Sequence, residues 1–392
     1  MEYITAVEAA EKWGVTLRQV QRLLAENRIE GANKYYRSWM IPSDAEKPGD
    51  PRQEKKMPSK SLVSDLAEII NATVLPMPYE NPTAILDNLT EERLRLPIEG
   101  ELAYLRGDFE LTKRCYHKTE GDKASRLRTC SIAIAAAISM GDYPFYLEVE
   151  YFLKGIVKTN TDNELSVFAE LCLSNAYTGA IAPSMVPEWL KNGDFTLLSP
   201  NMKPDAVYKR IKYFQCLGKY ESMLAAAETA LELCCPAPGI TIHCIYFKIM
   251  CAAAYSALKR GDEAKRWLRE AMKIALPHGF ITPFAESATA FGGLLEQLIQ
   301  QEYPAYYDAV ISQWKHTFTN WLAFHNRFTK DNVTLILSLR DYHMAQLAAQ
   351  GIPNAEIAEI FHISVGRLKI IMHEIYGKLY VNSRKELAHY IL

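Results

Sequence analysis

Two short sets of side chains carry what chemistry this sequence offers. Near the front, Arg18, Gln19 and Arg22 stand at i, i+1 and i+4 of a run whose Val20, Leu23 and Leu24 turn the other way, so the three share a solvent-facing surface. Near the end, Leu368, Met372, Ile375 and Leu379 make an apolar stripe that leaves Arg367, Lys369, Ile370 and His373 outward. Lys369 can serve guanine or phosphate, and His373 a base acceptor or phosphate. An exposed Ile370 beside a lysine is unusual on a solvated face and natural against a thymine methyl. Motifs for bond-making chemistry are missing. The chain has no G-x-x-x-x-G-K-[ST] phosphate loop, nucleophile elbow, H-E-x-x-H or Rossmann glycine set, so neither an enzyme nor a cofactor is expected.

Each set needs an element to hold it. Thr5 with Glu8 and Thr16 with Gln19 have capping-box spacing, which predicts two helix starts separated by a turn at Gly14-Val15. An alternating stretch from Asn33 to Ile41, closed by Pro42, predicts a two-stranded wing offering Lys34, Arg37 and Trp39. In the second region Ser338 with Asp341 starts a helix that stops at Gly351. Asn354 opens a short helix with Ile357, Ala358, Ile360 and Phe361 inward, His362-Ile363 turns the chain, and Ser364 caps the next helix.

Between them lies a long helical stretch. At 392 residues, two or three domains are expected. An apolar content of 49% with 23% charged residues is ordinary for a folded soluble chain. Lys and Arg exceed Asp and Glu by two in residues 1–60 and by one in 330–392, so the net charge of -2 hides a mildly acidic middle. The Pro-rich, charged run Asp44 to Lys60 reads as a linker. From Leu62 to Lys330 apolar residues recur at helical spacing, and four turns carry Gly107, Gly141, Gly218 and Gly261. The first two glycines lie 34 positions apart, the tetratricopeptide period. Each glycine is expected to end one helix in a left-handed cap so that the next folds back. The proline-rich segment Ile181 to Asp205 is expected to be a long loop. Trp314, Phe318, Trp321, Phe324 and Phe328 form a stripe at helical spacing, expected to be core or, less simply, a ligand groove. Cys234, Cys235, His243 and Cys244 cluster without metal-site spacing, so no metal is expected and all eight cysteines read as free thiols. No signal peptide and no apolar run of ~18 residues is found, and free thiols suit a reducing compartment, so the expected location is cytoplasmic.

Residues 2–48 resemble the excisionase-like, MerR-related winged-helix modules of bacterial regulators. That resemblance implies that the second helix enters the major groove of DNA, with Arg18, Gln19 and Arg22 at bases and phosphates and Lys34 and Arg37 on the backbone; Thr16, which starts that helix, is a further candidate contact. The last segment resembles the LuxR-type helix-turn-helix over its length, through Ala349, Gly351, Asn354, Glu356, Ile357 and Ala358, then Lys378, Leu379, Val381, Ser383 and Arg384. The resemblance places Lys369, Ile370 and His373 at DNA, to which Arg367 on the same outward face is added, and makes the terminal helix a dimerisation element, with Leu387, Tyr390, Ile391 and Leu392 for a two-fold partner to cover. Ser338 to Asp341 depart from the family's usual opening, and Ile371 stands where the family has histidine. Ala252 to Glu286 is similar to the tetratricopeptide-like region of large MalT-type regulators, without their nucleotide-binding stage.

The sequence therefore predicts an all-α protein: a tetratricopeptide-like domain flanked by two small helix-turn-helix modules, the first with a β-hairpin wing. The boundaries are 1–48 for the front module, 49–61 for the linker, 62–330 for the repeats and 331–392 for the last module. Double-stranded DNA, a second copy of the chain, and a peptide, small-molecule or protein effector are the expected partners. The rival reading is a helical-repeat interaction scaffold whose last module no longer binds DNA.

Overall fold

The computed structural model describes residues 3–26, 28–29, 31–35, 38–48, 61–74, 76–159, 163–235, 239–291, 293–329, 337, 339–379 and 381–391. The chain forms two compact units, Met1–Ser61 and Leu62–Leu392. Among the described residues the chain is predominantly helical, with one small sheet.

In the first unit, local hydrogen bonds define the helix ends. The Thr5 amide donates to Glu8 at 2.7 Å while Thr5 Oγ accepts from the Glu8 amide at 3.3 Å, and this box starts α1 (Ala6–Trp13). Gly14, at φ 63°, ends it. Thr16 and Gln19 repeat the box at the start of α2 (Leu17–Ala25). Ala9, Ala10, Val20, Leu23, Leu24, Ile29 and Ile41 are buried together as the core. With β1 taken as Tyr3–Ile4, β2 as Asn33–Tyr35 and β3 as Ser38–Pro42, the sheet order is β1-β3-β2. The expected hairpin is there, with Lys34 opposite Trp39. The sequence did not signal β1, because two residues are too few to show alternation.

The second unit is built from helices folded back on one another. They are α3 (Leu62–Thr73), α4 (Glu92–Leu105), α5 (Phe109–Lys118), α6 (Lys123–Met140), α7 (Tyr143–Thr159), α8 (Asn163–Gly179), α9 (Glu188–Asn192), α10 (Lys203–Cys216), α11 (Tyr220–Cys234), α12 (Ile242–Ala257), α13 (Gly261–Ala275), α14 (Thr282–Ala285), α15 (Leu294–Glu302) and α16 (Pro304–Thr329). Consecutive helices pack as α4 on α5, α6 on α7, α11 on α12 and α12 on α13. The Gly141 turn shows why the residue matters. It sits at φ 71°, and a Cβ there would lie 2.8 Å from Asn320 Oδ1, whose amide group donates to the Ser139 carbonyl at 2.8 Å. The same logic fails at Gly261, which opens α13 with no left-handed backbone. Lys259 takes the positive φ there, at 60°.

Two other expectations are corrected. Ile181 to Asp205 is not a long loop. It holds short 3-10 turns at Pro183–Met185 and Pro200–Met202, helix α9, and the start of α10. Its prolines sit at or just before helix starts, where the missing N–H costs nothing. Nor are all eight cysteines free. The connection from α11 to α12 brings Cys235 and Cys244 to a Cα separation of 5.6 Å, and they are joined as a disulfide. Cys234 remains a thiol, and His243 faces Asp205 at 3.8 Å.

Buried apolar residues form two main clusters in this unit. One gathers α3 and α6 to α8 around Tyr116, Phe145, Leu153 and Phe324. The other runs from Leu102 through Phe247, Phe280 and Trp314 to residues beyond 336. The aromatic stripe of α16 serves both, since Trp314 and Phe318 belong to the second cluster and Phe324 to the first. No helix among the described residues is long and apolar enough to cross a membrane.

Candidate nucleic-acid interface

Four helices complete the chain: α17 (Leu339–Ala349), α18 (Asn354–Ile360), α19 (Val365–Leu379) and α20 (Arg384–Ile391). Gly351, at φ 81°, turns the chain after α17, and Ser364 Oγ accepts from the Arg367 amide at 3.1 Å to cap α19. Ser338 lies outside the described residues, so its cap is not described. Leu368, Met372, Ile375 and Leu379 are buried as expected, and Ile357 and Ala358 face them from α18. Ile360 and Phe361 are only half-buried. Ile371 is buried too, at 6% exposure, so the residue standing in for the family histidine is part of the core.

The outward face of α19 carries the expected set. Arg367, Lys369 and His373 are exposed and make no ion pair among the described residues. Ile370 between them is 52% exposed. Because i, i+3 and i+4 positions adjoin on a helix, Arg367, Ile370 and His373 form one ridge with Lys369 beside it.

Sequence reasoning missed how this face is held. Arg384 donates to the Ile352 carbonyl at 2.7 Å and to Asn354 Oδ1, tying α20 to the start of α18. Arg384 and Asn354 were visible only as motif letters. Leu387 is fully buried within the unit rather than left for a partner to cover, while the side chains of Tyr390, Ile391 and Leu392 lie outside the described residues. His343 on α17 is also buried, with its ring edge-on to Trp314 and Phe361, each 5.1 Å away between centroids. Burial pushes its pKa down to about 4.

In the first unit Arg18, Gln19 and Arg22 are exposed on α2 as expected. They are not equivalent. Gln19 Oε1 accepts from the Thr16 amide at 3.0 Å and from its hydroxyl at 3.3 Å, so the side-chain oxygen is engaged in the cap. Arg22 reaches Glu26 at 3.8 Å, an exposed pair worth little. Lys34 is exposed on β2 with its ammonium 5.9 Å from the Trp39 ring. Arg37 lies outside the described residues. Lys12 donates to the Ser43 carbonyl at 2.5 Å and Trp13 to that of Ala45 at 3.3 Å, which fastens the chain after β3 to α1.

Residues 335–391 match the family described as GerE, bacterial regulatory proteins of the luxR family. The C-terminal module is thus a LuxR-type helix-turn-helix domain. Comparison with curated proteins and with solved structures gave no match.

Proposed function

We propose that the chain is a sequence-specific DNA-binding transcription regulator that reads its site with the outward face of α19. One observation carries this reading. A half-exposed isoleucine stands among an arginine, a lysine and a histidine on α19, the third helix of a LuxR-type module. Among these donors Ile370 offers a thymine methyl an apolar contact. In this reading Lys369 and His373 take base edges or phosphates, and Arg367 takes a phosphate near the helix start.

The first unit adds a second contact through Arg18 and Arg22, assisted by Thr16, Gln19, Lys34 and Arg37. Its capped helix pair and hairpin support the MerR-like reading. The helical stretch between, built of back-folded pairs in the tetratricopeptide manner, serves as the effector or partner domain. Two copies of the chain on a pseudo-palindrome would suit such a reader, with half-sites near one helical turn apart. A reader of chromosomal DNA with no membrane-spanning helix among the described residues fits the cytoplasm, although the Cys235–Cys244 disulfide is not what a reducing compartment favours.

Binding of the full-length protein to duplex DNA selected from a random pool tests this. Neutralised phosphates make log K fall linearly with log salt, with a slope of about −0.9 per contact. A slope steeper than about −3 and a defined preferred site are expected. A flat salt dependence would leave the helical surface as the functional one.

A further inference from the structure

The second unit holds a partly open cavity of about 360 Å³ that no DNA-reading role uses. Its size lies in the range of small-molecule sites. Its walls come from the helical region and from α17, the first helix of the LuxR-type module. Tyr342 and Gln346 contribute from α17 and Gln350 from the turn after it, while Trp314, Phe318 and Trp321 contribute from α16.

Two independent features of this cavity call for a ligand. At one side sits Glu286, which accepts from the Tyr104 hydroxyl at 2.7 Å. Tyr208 and Tyr246 line the same space, their ring centroids 5.0 Å apart. No ion pair joins Glu286 to a cation among the described residues, and Lys212 acts on it only from beyond ion-pair distance. Burial accordingly raises the Glu286 pKa. At the other side Trp314 Nε1, Thr317 Oγ and Gln346 Oε1 are buried in the wall without hydrogen-bond partners. Trp314 and Thr317 are each only 8% exposed. An unpaired buried polar atom is costly, and three in one wall mark a place where polar atoms of another molecule complete the bonding.

We propose that this cavity binds a small organic amine, with its protonated head against Glu286 among the tyrosines, its aromatic body along Phe318 and Tyr342, and a polar group at its far end for Trp314 Nε1, Thr317 Oγ and Gln346 Oε1. A ligand cation held against Glu286 supplies the close ion pair that Lys212, which lines the cavity but stands beyond ion-pair distance, does not make. Such a ligand touches both α16 and α17, so its occupancy and the setting of the LuxR-type module are linked. This coupling rests on the DNA-binding reading above; the site itself does not. Whatever factor the ligand applies to DNA affinity, DNA must apply to ligand affinity.

The test uses the full-length protein and three probes that share a phenyl body: 2-phenylethylamine, 2-phenylethanol and 3-phenylpropionate. Calorimetry is expected to rank the amine tightest and the carboxylate weakest. Glu286→Gln should weaken the amine about tenfold or more and leave the alcohol within about twofold. The ranking on the unaltered protein decides the matter even should that variant fold poorly. Equal or tighter binding of phenylpropionate, or no saturable heat from the amine at millimolar concentration, would overturn the site. With the amine saturating, affinity for the selected duplex should shift by about fivefold or more. An unchanged DNA affinity with the amine bound overturns the coupling. Absence of duplex binding with and without the amine refutes the DNA-binding reading, while calorimetry still decides the site.

Discussion

His343 makes the stability of the second unit depend on pH in a direction that can be worked out. Its ring is 6% exposed between Trp314 and Phe361, its Nε2 has no partner, and desolvation lowers its pKa from 6.5 to about 4. The folded state thus keeps the ring neutral where the unfolded chain would protonate it. Between pH 6.5 and about 4 the unfolded state binds the additional proton, so stability falls as pH falls through that window. At about 1.4 kcal/mol per pH unit, the loss reaches about 2 kcal/mol at pH 5 and is close to nothing at pH 7. His343→Phe keeps an aromatic ring in the pocket and removes the titration. Urea unfolding of both proteins, followed by circular dichroism at pH 7, 6 and 5, should show the variant gaining on the wild type with each step down. Other groups titrate alike in both and cancel. A difference that is the same at all three pH values would refute the burial of a neutral His343 and the packing of α17 on α16 that causes it.

Other consequences can be checked separately. Arg22→Ala should weaken binding of the full-length chain to its selected duplex by about 1–3 kcal/mol if Arg22 reads a base, or flatten the salt slope by about one if it meets phosphate; unchanged affinity and slope would remove it from the interface. Gly141→Ala should cost about 2 kcal/mol or more, because it combines a left-handed backbone at φ 71° with a Cβ placed 2.8 Å from Asn320 Oδ1; a thermal midpoint equal to wild type would show that the turn relaxes. Thiol titration of the unfolded, unreduced chain should count six cysteines, with Cys235 and Cys244 appearing only after reduction; eight at the outset would mean that the pair is not bonded.

Much of the architecture was written in local pattern. The capping boxes at Thr5 and Thr16, the stripe of Leu368, Met372 and Ile375, and the stop at Gly351 each depend on neighbours within a few residues. Such features are legible because their hydrogen bonds and faces are set by helical spacing alone. What escaped reading depends on contacts distant along the chain. β1 exists only because β3 lies beside it. The Lys259 turn takes a strained backbone without glycine, so no residue type announced it. The proline-rich segment could not be resolved into short helices by composition, since proline both opens helices and fills loops. Arg384 holds Asn354 across thirty positions, and Leu387 turned out to be covered from within. Glu286 illustrates the limit best. In sequence it is one acid among many, and only the fold brings Tyr104 to it from 182 positions away.

The central claim is that α19 reads DNA through Arg367, Lys369, Ile370 and His373, and selection on a random duplex pool tests it most directly. Wild-type full-length protein should enrich one defined motif. The double variant Lys369→Ala with Ile370→Ala should fold as wild type by circular dichroism yet lose preference among sites, by about 1–3 kcal/mol for each base contact removed. If the variant enriches the same motif with the same affinity, α19 is not the reader and the account fails.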